Sequence, residues 1–279
     1  MIDQGEWLAR MTEALERLAT SSDRHEPGGA DWLAAPAYIW TGHGARQVAA
    51  IDAPDLALLR GIDRQKEAVI HNVARLARGD AAHDMLLWGA RGMGKSALIR
   101  ASVKAAQEAG GAIALVQVAA DALPSLGTLF ALLAPAPRNF LVYCDDLGFA
   151  PGDAVGPRML RSWLDGGVEA RPRNTRLAVT ANRRAIVPRG SSEQDDPLNP
   201  RDAMDDQLAL ADRFGLSLGF HACSQEDYLA ILHGYAREYG LALDESEALE
   251  WAKRRGARSG RVAWHFITEL AGRANRSLR

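Results

Sequence analysis

The sequence predicts an α/β fold, with a parallel sheet of five strands flanked by helices and a small all-helical lid behind it. Three observations predict it. A buried strand, a glycine-rich loop and a helix follow one another over residues 84–106. Further apolar runs then alternate with helical segments as far as residue 220. That order favours a parallel sheet covered on both faces. Beyond residue 224 the strand signal stops and only helical spacing remains. The expected division is an N-terminal helix and linker (1–30), an extended arm packing on the core (31–60), an α/β core (61–222) and a helical lid (223–279).

Taken in order, Trp7, Leu8, Met11, Leu15 and Leu18 recur mostly at three- and four-residue steps, the mark of an amphipathic helix. Residues 21–30 are polar and contain glycine, as a linker does. Residues 32–40 are apolar and broken by proline, which suits a short extended arm. A helix opens near Gly61 and runs to about residue 77, with Asp63 as its expected N-cap. Residues 84–88 form the first core strand and 96–106 the helix after it. Gly110 and Gly111 break that helix, and 112–118 is a second buried strand. A helix over 123–133 is closed by Pro135 and Pro137. The run 139–146 is a third strand with two carboxylates at its C-terminal end, the end where open parallel sheets bind ligands. Residues 157–165 are helical and 176–180 form the fourth strand. Residues 190–202, polar and containing Pro197 and Pro200, read as a surface loop. A short helix at 206–212 precedes the fifth strand, 216–220. Helices over 225–239, 245–255 and 260–273 complete the chain.

Composition narrows the function classes. Of 279 residues, 47% are hydrophobic and 24% charged, the proportions of an ordinary globular protein. The formal net charge of −2 provides no bulk basic field for nucleic acid or an anionic membrane. Cys144 and Cys223 sit in no metal-ligand spacing and are expected to be buried thiols in a reducing cytoplasm. The N-terminus is acidic and leads into no apolar core, so a signal peptide is not expected. No apolar run is long enough to span a bilayer, so no membrane partner is expected. The histidines are scattered without an H-x-x-x-H pair, which argues against a structural zinc site.

The chemistry concentrates at Gly89-Ala90-Arg91-Gly92-Met93-Gly94-Lys95-Ser96. This fits G-x-x-x-x-G-K-[ST], the phosphate-binding loop of nucleoside triphosphatases. Glycines let the backbone turn tightly and aim N–H groups at a phosphate chain. Lys95 is placed to reach the β- and γ-phosphates, Ser96 to ligate Mg²⁺, and Ala97 follows in the first turn of a helix whose N-terminus favours an anion. About 50 residues on, Asp145 suits the carboxylate of the Mg²⁺ shell, and Asp146 a group that orients or deprotonates attacking water. Asn182, ending the fourth strand, has an amide for the γ-phosphate or that water. Arg213 precedes the fifth strand, where it suits an arginine finger lent to a neighbouring subunit. Arg261 opens the last helix, a place electrostatically awkward for a cation unless an anion faces it.

The order of loop, paired carboxylates, Asn, finger arginine and lid arginine resembles that of the AAA+ ATPases. The segments 87–92, 143–147, 167–172 and 211–216 resemble more narrowly a bacterial AAA+ family, domain of unknown function 815, as do 61–65 and 259–264. The likeness runs from about Trp32 to Ala271. It implies ATP with Mg²⁺ as ligands, Ile62 at the adenine, and self-association into an oligomer in which Arg213 acts in trans. Many relatives carry a glutamate where Asp146 stands, with about 1.5 Å more reach. Two readings follow: an ATPase that remodels an unidentified protein or nucleic-acid client, and a slow or non-hydrolysing ATP-dependent switch. A GTPase lacks support, because no N-K-x-D segment is present. Arg183, Arg184, Arg189 and residues 254–258 are the basic positions available to a nucleic-acid client, but no aromatic residues interleave them.

Overall fold

The structure is a computed structural model that describes residues 30–149, 155–166, 171–183 and 210–278. The expected N-terminal helix, the loop at 190–202, the start of the helix at 206–212, and Arg184 and Arg189 lie outside the described residues. So does most of the 167–172 segment.

Seven strands form one sheet, in the order β2-β1-β4-β5-β6-β3-β7. The five expected core strands are β3 (Met85–Gly89), β4 (Ile113–Val118), β5 (Asn139–Cys144), β6 (Thr175–Ala181) and β7 (Leu216–Phe220), and every pairing among them is parallel. The other two come from the arm. β1 (Ala37–Trp40) pairs parallel with β4, and β2 (Ala45–Val48) folds back antiparallel on β1. The arm therefore extends the sheet rather than merely lying on it. Its reversal at Gly42, with φ of 96°, joins strands too short to announce themselves, and β2 is polar and half-exposed. Trp40 donates its indole N–H to Ser125 Oγ at 2.7 Å, which ties this edge to the next layer.

Side chains along the core strands alternate between two buried clusters. Met85, Leu87, Leu115, Leu141, Tyr143 and Ala178 face one side. Leu86, Val116, Phe140, Val142, Leu177 and Val179 face the other. Helices α1 (Asp63–Arg78) and α2 (Lys95–Glu108) cover the first face, and α3 (Leu126–Leu133) and α4 (Val155–Asp165) the second. Each face buries an apolar stripe, which is why the strands read as near-continuous hydrophobic runs. Two local expectations change. Asp63 is the first residue of α1 rather than its cap; Ile62 holds the cap position with no side-chain bond. Asp63 instead pairs with Lys66 at 3.1 Å. The helix expected over 123–133 begins as a 3-10 turn, Ala120–Ser125, because Pro124 cannot donate to an α-helical ladder.

After β7 come α5 (Gln225–Tyr239), α6 (Glu245–Arg254) and α7 (Gly260–Arg273). Ser224, Asp244 and Ser259 cap their N-termini through side-chain oxygens. Their buried faces join the cluster under α1 and α2, so these helices stand on the same side of the sheet as the phosphate loop. Among the described residues, no helix is long and apolar enough to cross a membrane.

Candidate functional site

β3 lies between β6 and β7, while the chain leaving it crosses to β4 on the far side of β5 and β6. The C-terminal ends of these strands therefore frame the loop that joins β3 to α2. Gly89, Gly92 and Gly94 have φ of 125°, 74° and 86°, a region that glycine enters at no steric cost. A Cβ at Gly89 would overlap the carbonyl oxygen of Phe220, which accepts the Ala90 N–H at 2.8 Å. At Gly92 a Cβ would come within 2.9 Å of Ser259 Oγ and 3.0 Å of Arg261 Cβ. The Arg261 N–H donates to the Gly92 carbonyl at 3.2 Å. The loop is thus clasped between the end of β7 and the start of α7.

Lys95 is buried, and its ammonium donates to the Gly89 and Ala90 carbonyls at 2.7 and 2.9 Å. Burial pulls its pKa below the ordinary lysine value; Asp146 and Asp145 oppose that, and Arg91 and Arg261 reinforce it. Ser96 Oγ and Thr180 Oγ1 both donate to Asp145 Oδ1 at 2.7 Å. Burial pushes the Asp145 carboxyl up, but the hydroxyls of Tyr143, Ser96 and Thr180 and the Arg100 guanidinium outweigh it and hold the group below the usual carboxylate value. Asp146 has φ of 49°, donates its N–H to Thr180 Oγ1 at 2.8 Å, and accepts a short hydrogen bond from the Asn182 amide.

These groups face one cavity of about 840 Å³. Arg91, Gly92, Met93, Gly94, Lys95, Ser96, Ala97, Asp145, Asp146, Asn182 and Arg261 all line it, so most of the expected site converges. Gly89 and Ala90 do not line it; they hold the Lys95 ammonium from behind. Nor does Ile62. It is buried under the loop, its Cδ1 lying 3.6 Å from where a Cβ on Gly94 would be. Arg213 lies outside its own chain's cavity and pairs with Asp165 at the end of α4.

Sequence reasoning missed three parts of the wall. Thr180 reaches both Asp145 and the Asp146 N–H because β6 lies between β3 and β5; a threonine inside a strand run gives no hint of this. Arg100, one turn beyond Ser96, lines the cavity with a buried Nε that has no hydrogen-bond partner. The i, i+4 spacing from Ser96 was the available signal. The third part is apolar: Pro54 and Leu59 from the core side, and Tyr235, Tyr239, Trp264 and Leu278 from the C-terminal helices.

The donor set suits a triphosphate with its metal. Four cations face the cavity, the loop leaves no room for a side chain at Gly89 or Gly92, and a buried ammonium rests on backbone carbonyls alone. Among the described residues, no group of three or more His, Cys, Asp or Glu is placed to hold a metal ion. Mg²⁺, however, commonly takes only one or two protein carboxylates and completes its shell with phosphate and water.

Residues 33–274 match the family described as Protein of unknown function (DUF815). The chain belongs to this family. No curated protein matches the chain. Among solved structures, RuvB of Thermotoga maritima, a Holliday junction branch migration motor, superposes with a TM-score of 0.51 at 18% identity, over 78% of this chain and 65% of that one. ORC1 of Aeropyrum pernix, in complex with DNA, superposes with a TM-score of 0.52 at 17% identity, over 81% of this chain and 66% of that one. The chain thus spans just under two thirds of the length of either. At such identities the likeness establishes the fold, which is that of the AAA+ proteins, the expected architecture.

Proposed function

We propose that this DUF815 family member binds ATP with Mg²⁺ in the cavity over the phosphate loop and hydrolyses it, residues 61–222 serving as the catalytic core and 223–279 as the lid. The observation that carries the reading is the Lys95–Ser96–Asp145 arrangement at the end of the sheet, with Ser96 and Asp145 oxygens 2.7 Å apart. On this reading Lys95 exchanges its two carbonyl partners for phosphate oxygens. Ser96 and Asp145 hold the Mg²⁺, which neutralises charge on the phosphates. Asp146 orients the attacking water, with Asn182 beside it. Arg261 faces the phosphate end from α7, the anion that its position at a helix start calls for.

Arg213 supports an assembled enzyme. It lies outside the cavity of its own chain, so we assign it to the site of a neighbouring copy, where a guanidinium stabilises the transferred phosphoryl group. The client is a protein or a nucleic acid; the DNA-bound state of the ORC1 structure and the branch-migration role of RuvB make DNA the first to try.

A second reading has its own observation. Asp146 is short, sits in the left-handed region and is held by Asn182. A carboxylate so restrained favours slow turnover, in which nucleotide exchange rather than hydrolysis releases the client. Calorimetry with ATP and Mg²⁺ tests the binding they share: heat from wild type and none from Lys95→Ala is the expected result, and equal behaviour of the two refutes it. Steady-state turnover then separates the readings. Rates that rise with protein concentration and fall at least tenfold in Arg213→Ala support the assembled ATPase. A wild-type rate no higher than that of Asp146→Ala supports the switch.

A further inference from the structure

The cavity wall has two parts of different character. The phosphate loop, Asp145 and the arginines make one part polar. In the other, Tyr235 and Tyr239 stack with their rings 6.4 Å apart and 14° from parallel. The Trp264 ring lies 5.2 Å from Tyr235 and 6.1 Å from Tyr239. Leu278 completes this wall. It reaches the wall because the chain reverses after α7. Asn275 adopts φ of 54°, its N–H donates to the Gly272 carbonyl at 3.1 Å, and the Arg276 N–H donates to the Ala271 carbonyl at 2.9 Å. These paired bonds define a Schellman turn, with asparagine at the left-handed position usually given to glycine.

A second device fixes where the reversed chain goes. Arg276 Nη1 donates to the Tyr239 and Gly240 carbonyls, both at 2.7 Å. These are orphan acceptors at the C-terminus of α5, where a cation is favoured. Gly240 leaves the room: a Cβ there would lie 2.6 Å from Arg276 Nη1. The guanidinium thus pins the turn to the same helix end that presents Tyr239.

We propose that residues 275–278 form one wall of the subsite for the nucleotide base, with Leu278 touching the base and Arg276 acting as the positioning residue that holds it there. The chemistry of this wall selects a flat, largely apolar heterocycle: aromatic rings and a leucine line it, whereas the charges that suit phosphate come from the loop, Arg100 and Arg261. The inference rests on the proposed triphosphate site and assigns that site's base contacts to a segment beyond its last helix. The turn then governs affinity for the nucleoside part without affecting affinity for the phosphates.

The test is calorimetric titration of ATP, and separately of inorganic tripolyphosphate, into the full chain with Mg²⁺. Wild type is compared with Leu278→Ala, Arg276→Ala and the double variant, with thermal melts to verify folding. Losing one buried leucine contact is expected to weaken ATP about fivefold to tenfold. Arg276→Ala should weaken ATP by a similar factor and the double variant hardly further, since Arg276 acts through Leu278. Tripolyphosphate binding should not change. Leu278→Met should restore most of the ATP affinity. Unchanged ATP affinity in both single variants overturns the proposal, as do equal losses for ATP and tripolyphosphate or additive losses in the double variant. If wild type binds tripolyphosphate as tightly as ATP, the base subsite is refuted and the phosphate site stands. If wild type binds neither, the phosphate site fails first and takes this inference with it.

Discussion

Replacing Thr180 by valine removes one hydroxyl and almost no volume, and that hydroxyl makes two hydrogen bonds at the centre of the site. It donates to Asp145 Oδ1 at 2.7 Å and accepts the Asp146 N–H at 2.8 Å. The residue is buried near the end of β6, and in the variant a methyl group occupies the hydroxyl's position. Leaving the Asp146 N–H unpaired costs about 1–2 kcal/mol. Losing a bond to the Asp145 carboxylate would cost about 1.5–3 kcal/mol in a dry interior, but Asp145 faces solvent, and screening brings that closer to about 1 kcal/mol. The sum is about 2–3 kcal/mol at pH 7, read from urea unfolding by circular dichroism. The two parts separate with pH. Asp145 titrates below its unfolded value, so its contribution is fully present above that value and is lost as pH falls through the folded one. The difference between Thr180→Val and wild type should therefore shrink by about 1 kcal/mol on acidification and then level off at the Asp146 part. A difference below about 0.5 kcal/mol at pH 7 would refute the assigned bonds, and one that does not shrink in acid would remove Asp145 from the pair.

Gly89→Ala should destabilise the fold by more than about 3 kcal/mol in the same unfolding assay, because the new methyl group meets the Phe220 carbonyl while φ stays positive. Arg171→Ala strips a mostly buried Asp84 of its 2.7 Å partner and should cost about 3 kcal/mol; a loss under about 1 kcal/mol would mean the pair is replaceable by water. Burial pushes the Cys144 thiol up to about 12 and the Cys223 thiol up to about 11, so neither should react with a maleimide at pH 7.5 until urea unfolds the chain, as mass spectrometry would show.

What was legible in the sequence was whatever depends on spacing along the chain. The strand–loop–helix at Gly89–Ser96, the carboxylates ending β5 and the three helices after β7 stand where the periodicity put them. What was not legible depends on the order of strands in the sheet. Thr180 matters because β6 lies between β3 and β5, and no local feature of residues 175–181 reports its neighbours. The arm was read as an appendage because strand pairing with β4 is a contact between residues 78 positions apart, Tyr38 with Val116 for example. The apolar end of the cavity gave a different difficulty. Tyr235, Tyr239 and Trp264 lie inside two helical segments whose spacing does not set them apart. Only the turn at Asn275 reveals that their exposed edges share a wall with Leu278.

The loop's two clasps constrain how any event at the phosphate end can reach the rest of the molecule. One clasp is the Phe220 carbonyl, part of β7 and so fixed to the sheet through the Gly89–Phe220 register. The other is the Gly92 carbonyl, which accepts from Arg261 on α7. Sheet strands are tied by many ladder bonds, whereas α7 meets the loop through one backbone bond and the close fit of Gly92 against Ser259. The α7 clasp thus rests on fewer backbone bonds than the β7 clasp. α7 packs against α5 and leads into the turn held by Arg276, so the helix that clasps the loop also carries part of the aromatic wall of the same cavity. In the proposed nucleotide site, the phosphate and base contacts are therefore linked through the C-terminal helices, so substitutions on the α7 side of the loop should alter coupling between them more than those on the β7 side, which should alter stability.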